Sequence, residues 1–284
     1  MKNLPEAPAS ASVSEGEAHP QDAKGRYAEF CDAKGCDVEL CDAKGRYTEL
    51  CVELAIPRGI TAVAGGGGKT SLLLRLASEL GQTGNVVFTT STYIYPPEGM
   101  PLYTGADERE IANALRESPV LCVGAPEPLG KLSSPAVSFG RLKALCDYVL
   151  VEADGSRGLP LKAHAPHEPA IPKEADRTLF VLGADGFYIP LAQAAHRPAL
   201  MINALNGVAD GSVNPAKPVD PAALGAVAAR FFPGGTVIVN KAELDAGLSR
   251  TEAFARAYLA AGGGTVAALS LKGEKQGLYA VWRA

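Results

Sequence analysis

Four consecutive glycines followed by Lys69 and Thr70 sit between an apolar run and a leucine-rich one, and this junction constrains the chain more than any other feature. Ile60 to Val63 reads as a short buried strand, and Thr70 to Leu80 places Leu72, Leu73, Leu76 and Leu80 at helical spacing. Gly65, Gly66, Gly67 and Gly68 can turn backbone N–H groups inward around an anion, and the helix that follows aims its positive end at the same point. Lys69 then reaches the β- and γ-phosphates of a nucleotide, while Thr70, with Ser71 beside it, offers a hydroxyl to Mg²⁺. Val63 stands where the strict G-x-x-x-x-G-K-[ST] pattern has its first glycine; the rest of the pattern is intact. The junction predicts binding of Mg²⁺ with ATP or GTP.

Downstream, strand-like and helix-like segments alternate. Val86–Phe88, Val120–Val123, Tyr148–Val151, Leu179–Leu182, Val237–Val239 and Val266–Leu269 are short apolar runs, with helical patterns at 108–117, 139–146 and 249–261. This alternation predicts an α/β, P-loop NTPase-like domain over 53–284: a mostly parallel sheet with helices on both faces. Ligands of such sheets lie at the carboxyl ends of the strands. The irregular stretch 183–221 reads as an insertion or lid.

Residues 1–52 are a different material. The first 21 are rich in Ala, Ser, Glu and Pro and predict a disordered tail. Three ten-residue units follow, Asp22–Cys31, Asp32–Cys41 and Asp42–Cys51, carrying Cys31, Cys36, Cys41 and Cys51. Their spacing is unlike the paired C-x-x-C of zinc or cluster sites. Cys122 and Cys146 lie in apolar runs and read as core residues. Residues 1–51 hold 10 acidic and 6 basic side chains, which accounts for the whole formal charge of −4. The balance that remains points to neither a nucleic-acid nor an anionic-membrane surface. No apolar stretch approaches a membrane span and no signal peptide is evident, so a cytoplasmic location is expected.

Three further strand ends carry polar groups. Tyr148 to Val151 runs into Glu152, Asp154 and Gly155, an apolar strand delivering carboxylates beside a metal, where either acid could hold Mg²⁺ or orient water. Thr89 to Thr92 follows the second strand, and Thr90 is a candidate phosphate or metal-water contact. Asn240, Lys241 and Glu243 resemble the N-K-x-D element that reads guanine, with Glu for Asp, and set GTP against ATP without deciding it. Between them, the 155–172 loop holds Arg157 and Lys162, suited to clamping an anion, with His164, His167 and Glu168 at no standard ligand spacing. Lone histidines there, and in His196-Arg197-Pro198, read first as satisfied structural residues.

Taken together, the Gly65–Thr70 turn, Thr89 to Thr92 with Tyr95-Pro96-Pro97, and the string Leu150 to Ala163 resemble the selenium-dependent molybdenum hydroxylase accessory family, or YqeC-like family. Glu168 to Pro172, Gly183 to Gly186, His196 to Pro198 and Asn240-Lys241 complete the resemblance, which spans about 55–275. It implies a nucleotide-dependent maturation factor whose partners are a client molybdenum hydroxylase or a cofactor-assembly protein, with no nucleic acid and no membrane. NTP hydrolysis leads among the readings. The alternatives are a small-molecule kinase or ATP-dependent ligase, and a non-catalytic nucleotide-gated carrier.

Overall fold

The computed structural model describes residues 49–208, 212–273 and 276–284. The three ten-residue units therefore lie outside the described residues, except for Glu49, Leu50 and Cys51 at the end of the third. Those three already belong to the fold. A one-turn helix, α1 (Leu50–Glu53), buries Leu50 to 1% exposure, and the Cys51 N–H donates to Glu79 Oε2 at 2.7 Å. The domain thus starts ahead of the boundary expected at residue 53, because Leu50 and Leu54 complete an apolar cluster.

Strand β1 (Gly59–Gly65) is buried at every position, as a strand covered on both faces must be. Around it stand β2 (Val86–Thr90), β3 (Leu102–Tyr103), β4 (Val120–Val123), a small hairpin of β5 (Ala125–Glu127) and β6 (Lys131–Ser133), β7 (Tyr148–Glu152), β8 (Leu161–Lys162), β9 (Arg177–Gly183), β10 (Ala195–His196), β11 (Thr236–Asn240), β12 (Thr265–Ser270) and β13 (Gly277–Arg283). Nine of them form one sheet in the order β13-β12-β11-β9-β1-β7-β2-β4-β3. Every pairing in it is parallel except β12 with β13, an antiparallel edge that was not anticipated. The expected α/β class with a mostly parallel sheet is what the chain adopts.

Period-two alternation along β1 sends Ile60 and Ala62 to one face and Val63 to the other. On Val63's side lie α1 and α2 (Lys69–Leu80), whose Leu72, Leu73, Leu76 and Leu80 are all buried. The opposite face is covered by α3 (Glu108–Glu117) and α4 (Phe139–Leu145) over β2 and β4, and by α7 (Pro221–Phe231) and α8 (Ser249–Ala260) over β9 and β11. Caps fix where several of these helices start: Asp107 accepts from Arg109 N, Ser138 from Arg141 N and Asp220 from Ala222 N. Helix α7 has few branched side chains and escaped the sequence reading. Its small residues permit close packing on α8, where a Cβ at Gly225 would come within 2.3 Å of Phe254 O.

The stretch 183–221 contributes to the core over β9 and β11 through its described residues. Its described part holds α5 (Leu191–Ala194) and α6 (Pro198–Asn206), and Phe187, Leu191, Met201 and Leu205 join the core over β9 and β11. Burying each such side chain stabilises by roughly 1.5–3 kcal/mol. No helix among the described residues is long and apolar enough to cross a membrane.

Candidate functional site

At the carboxyl end of β1 the chain enters the glycine turn and rises into α2. Gly65, Gly67 and Gly68 hold φ of 103°, 70° and 130°, in the region that favours glycine. Close approach matters as much: a Cβ at Gly67 would come within 2.2 Å of Gly183 N. The turn is braced from behind, with the Gly66 N–H donating to Val181 O and the Gly67 N–H to Leu159 O. The N–H groups of the first turn of α2 have no acceptor within the helix.

Lys69 is only 4% exposed. Its Nζ donates to Gly65 O at 2.8 Å and to Ser156 Oγ at 3.3 Å, and lies 3.2 Å from Asp154 Oδ1 and 3.8 Å from Glu152 Oε1. The Thr70 hydroxyl donates to Glu152 Oε2 at 2.7 Å. Parallel pairing of β1 with β7 brings Val63 level with Glu152, which is why residues 82 positions apart in sequence meet. Burial pushes the Glu152 carboxyl above its ordinary range, against the pull of Lys69 and Thr70.

Asp154, expected beside a metal, instead lies behind the glycine turn. It accepts from the Gly65 N–H at 2.9 Å, its Oδ2 lies 2.8 Å from His164 Nε2, and Lys162 Nζ stands 3.4 Å away. Burial alone would raise its pKa. The His164 hydrogen bond, the Lys69 charge, the Gly65 N–H and the Lys162 charge outweigh burial and hold it at about 2. Asp154 therefore positions the turn. Lys162, expected to clamp an outside anion, is spent inside: Nζ donates to Gly155 O at 2.6 Å and lies 3.3 Å from Glu168 Oε1. Arg197 grips Glu168 with two hydrogen bonds of 3.1 Å. His164 is a structural partner, as the simpler reading had it, and it also walls an apolar cavity of about 320 Å³ between β9 and helices α6 and α7.

Thr90 is likewise engaged. Its hydroxyl donates to Glu152 O at 2.8 Å and accepts from the Thr92 N–H at 3.0 Å, which leaves it little capacity for phosphate or metal water.

Opposite, the ends of β11 and β12 converge on the turn. Asn240 Nδ2 donates to Gly67 O at 2.8 Å, and Asn240 Oδ1 accepts from the Leu271 N–H at 3.2 Å. Lys241, at φ 62°, pairs with Asp185 at 2.6 Å. Glu243 has a buried Oε2 with no hydrogen-bond partner among the described residues.

These groups share one cleft of about 830 Å³, within the ~300–1,000 Å³ of ordinary ligand pockets. Gly67, Gly68, Lys69, Thr70 and Ser71 form its floor and Glu152 and Arg157 one wall. Asn240, Lys241 and Glu243 form the other with Ser270, Leu271 and Lys272. The last three were passed over in sequence because Ser-Leu-Lys after an apolar run is an unremarkable string; its meaning lies in the hydrogen bond from Leu271 to Asn240. Among the described residues no three His, Cys, Asp or Glu side chains gather as a metal cage. A metal here would take Thr70 and Glu152 as its protein contacts, and such sparse ligation suits Mg²⁺, which keeps waters and binds through phosphates. Cys122 is a buried core thiol and Cys146 a partly buried one packed against the core, both pushed up to about 12 by burial.

The family model described as YqeC protein matches residues 61–199. Over that span the chain is similar to the YqeC family. A curated relative, the "Uncharacterized protein YqeC" of Escherichia coli (strain K12), is 37% identical over 131 residues, 44% of this chain and 51% of the relative. The chain thus spans about half the length of the curated relative it matches. The YqeC region takes in the glycine turn, Glu152, Asp154, Lys162, His164, Glu168 and Arg197. Asn240, Lys241, Glu243 and 270–272 lie beyond it. No solved structure matches the chain.

Proposed function

We propose that the cleft binds a magnesium nucleoside triphosphate in a P-loop NTPase-like arrangement, with guanine as the better-fitting base. On the resemblance to the selenium-dependent molybdenum hydroxylase accessory family, binding and hydrolysis serve maturation of such an enzyme. The observation that carries the reading is the burial of Lys69 under a four-glycine turn, with Thr70 and Glu152 hydrogen-bonded beside it at the mouth of one cleft.

Each residue has a part. Backbone N–H groups at the start of α2 receive phosphate oxygens, and Lys69 neutralises charge on the terminal phosphates. Magnesium, when bound, would be held by Thr70 and Glu152 and would offset the charge of the phosphates. Thr70 and Glu152 orient that end of the cleft, and the Glu152 carboxylate accepts a hydrogen bond from an attacking water. Asp154 holds Lys69 and the Gly65 N–H in place from behind. At the other end the unpartnered Glu243 oxygen supports guanine, whose N1–H and exocyclic amine are donors, whereas adenine presents no such pair and leaves the carboxylate unpaired.

The test is release of inorganic phosphate from Mg-GTP and Mg-ATP by the wild-type protein, Lys69→Ala and Glu152→Gln. Turnover that favours GTP and drops at least a hundred-fold in both variants agrees with the reading, since electrostatic contacts of this kind are worth ~10²–10³ in rate. Turnover unchanged in Lys69→Ala contradicts it.

A further inference from the structure

A nucleotide in the proposed pose fills only one arm of the cleft. The sheet order sets β11 and β12 on one side of β1, and β7 and β2 on the other. With its base near Asn240 and Glu243 and its phosphates around the glycine turn, the nucleotide aims its terminal phosphate at Glu152 and the end of β2. Past that point the same cleft is lined by Tyr93, Tyr95, Lys131 and Arg157.

This arm is built. Ile94 and Leu132 form an antiparallel bridge, with Ile94 N donating to Leu132 O at 3.0 Å and Leu132 N to Ile94 O at 2.8 Å, and both side chains enter the core. Neighbours of an inward residue on extended chain point the other way. Tyr93 and Tyr95 accordingly stand outward at 62% exposure each, flanking Ile94. Pro96 and Pro97 keep the chain extended just after Tyr95. On the partner strand Lys131, beside Leu132, lies over the Tyr95 ring at 5.2 Å from its centroid. Among the described residues neither Lys131 nor Arg157 has a carboxylate partner, while the cations deeper in the site, Lys69 and Lys162, are paired. The open Tyr93 ring, the Tyr95–Lys131 pair and Arg157, with neither cation matched by a carboxylate, suit one ligand chemistry on this pinned backbone: a flat ring bearing an anionic group.

We propose that the Tyr93–Tyr95–Lys131–Arg157 arm is a second ligand site, for an aromatic molecule carrying a phosphate or carboxylate, placed beside the terminal phosphate of the bound nucleotide. The placement rests on the nucleotide reading; the recognition chemistry does not. The ring stacks on tyrosine, and its anionic group meets Lys131 and Arg157. A site holding a second small molecule next to the terminal phosphate serves nucleotide-driven activation or delivery of that molecule.

Phenyl phosphate is a suitable probe, titrated by ligand-observed NMR into the full chain both free and loaded with Mg-GDP, alongside inorganic phosphate and phenol. Phenyl phosphate should bind the loaded protein at least about ten-fold more tightly than either fragment. Tyr93→Ala/Tyr95→Ala and Lys131→Ala should each weaken it several-fold, with Mg-GDP affinity unchanged. Equal affinity for inorganic phosphate and phenyl phosphate would mean that only the terminal-phosphate pocket is being read, and would overturn the proposal. So would tyrosine and lysine variants that bind phenyl phosphate like wild type. If Mg-GDP fails to bind while tyrosine-dependent phenyl phosphate binding persists on the free protein, the nucleotide reading falls and the aromatic-anion site stands.

Discussion

Asn240 Nδ2 donates to Gly67 O across 2.8 Å, tying the glycine turn after β1 to the carboxyl end of β11. The same side chain receives the Leu271 N–H, so one amide clamps three strand ends around the cleft. Asn240→Ala should leave Gly67 O and Leu271 N without these partners, at a cost of about 1–3 kcal/mol. Chemical denaturation should register that loss, and nucleotide affinity should fall with it. Unchanged stability and affinity would show that the clamp is redundant.

Glu152 poses the opposite case. Burial raises its pKa, so the folded chain takes up its proton more readily than the unfolded chain. The charged carboxylate therefore costs stability in full above the raised pKa, and the cost fades as pH falls toward the unfolded value of about 4.3. Glu152→Gln should raise the melting temperature at pH 7 while removing the Mg²⁺ dependence of nucleotide binding. A melting temperature that falls would contradict the assigned cost.

For Asp154 the sign reverses. Held at about 2, it contributes stability above its unfolded value near 3.9, and that contribution is lost as pH drops toward 2. Glu168, also at about 2 through Arg197, the Ala165 N–H and Lys162 against burial, titrates in the same window. Wild type should lose stability between pH about 4 and 2. Asp154→Asn should lose on the order of 2 kcal/mol less across that range, although it starts lower, because Lys69 and Lys162 are left buried with one fewer counter-charge. Identical acid profiles would count against the network.

Leu50 is the first buried core residue among those described. Leu50→Ala should destabilise by roughly 2–5 kcal/mol, the usual loss for a fully buried leucine. A change under ~0.5 kcal/mol would place the start of the cooperative unit after α1.

What sequence revealed and what it hid divide along physical lines. Strands β1, β4 and β7 and helices α2 and α3 were legible because burial on both faces demands uninterrupted apolar strands, and one-faced burial demands leucines at helical spacing. Helix α7 was not, since alanine and glycine carry no strong period. The antiparallel β13 mixes exposed and buried residues at an edge. Within the site, the nearness of Lys69 and Thr70 to Glu152 was foreseeable from strand-end logic. The inward turn of Asp154, the engagement of Thr90 and the outward pair Tyr93 and Tyr95 were not, because each depends on partners more than 30 residues away in sequence or on the bridge between Ile94 and Leu132. The inward turn of Lys162 was hidden for another reason: its partners Asp154, Gly155 and Glu168 are local, and only the folded loop brings them onto one ammonium.

The central claim is that the Gly65–Thr70 turn holds nucleotide phosphates. Calorimetric titration of the full chain with Mg-GTP and Mg-ATP, against Lys69→Ala, tests it most directly. The account predicts saturable one-to-one binding that favours GTP and is lost in the variant. Binding that is equal in wild type and Lys69→Ala, or absent from both, would contradict it.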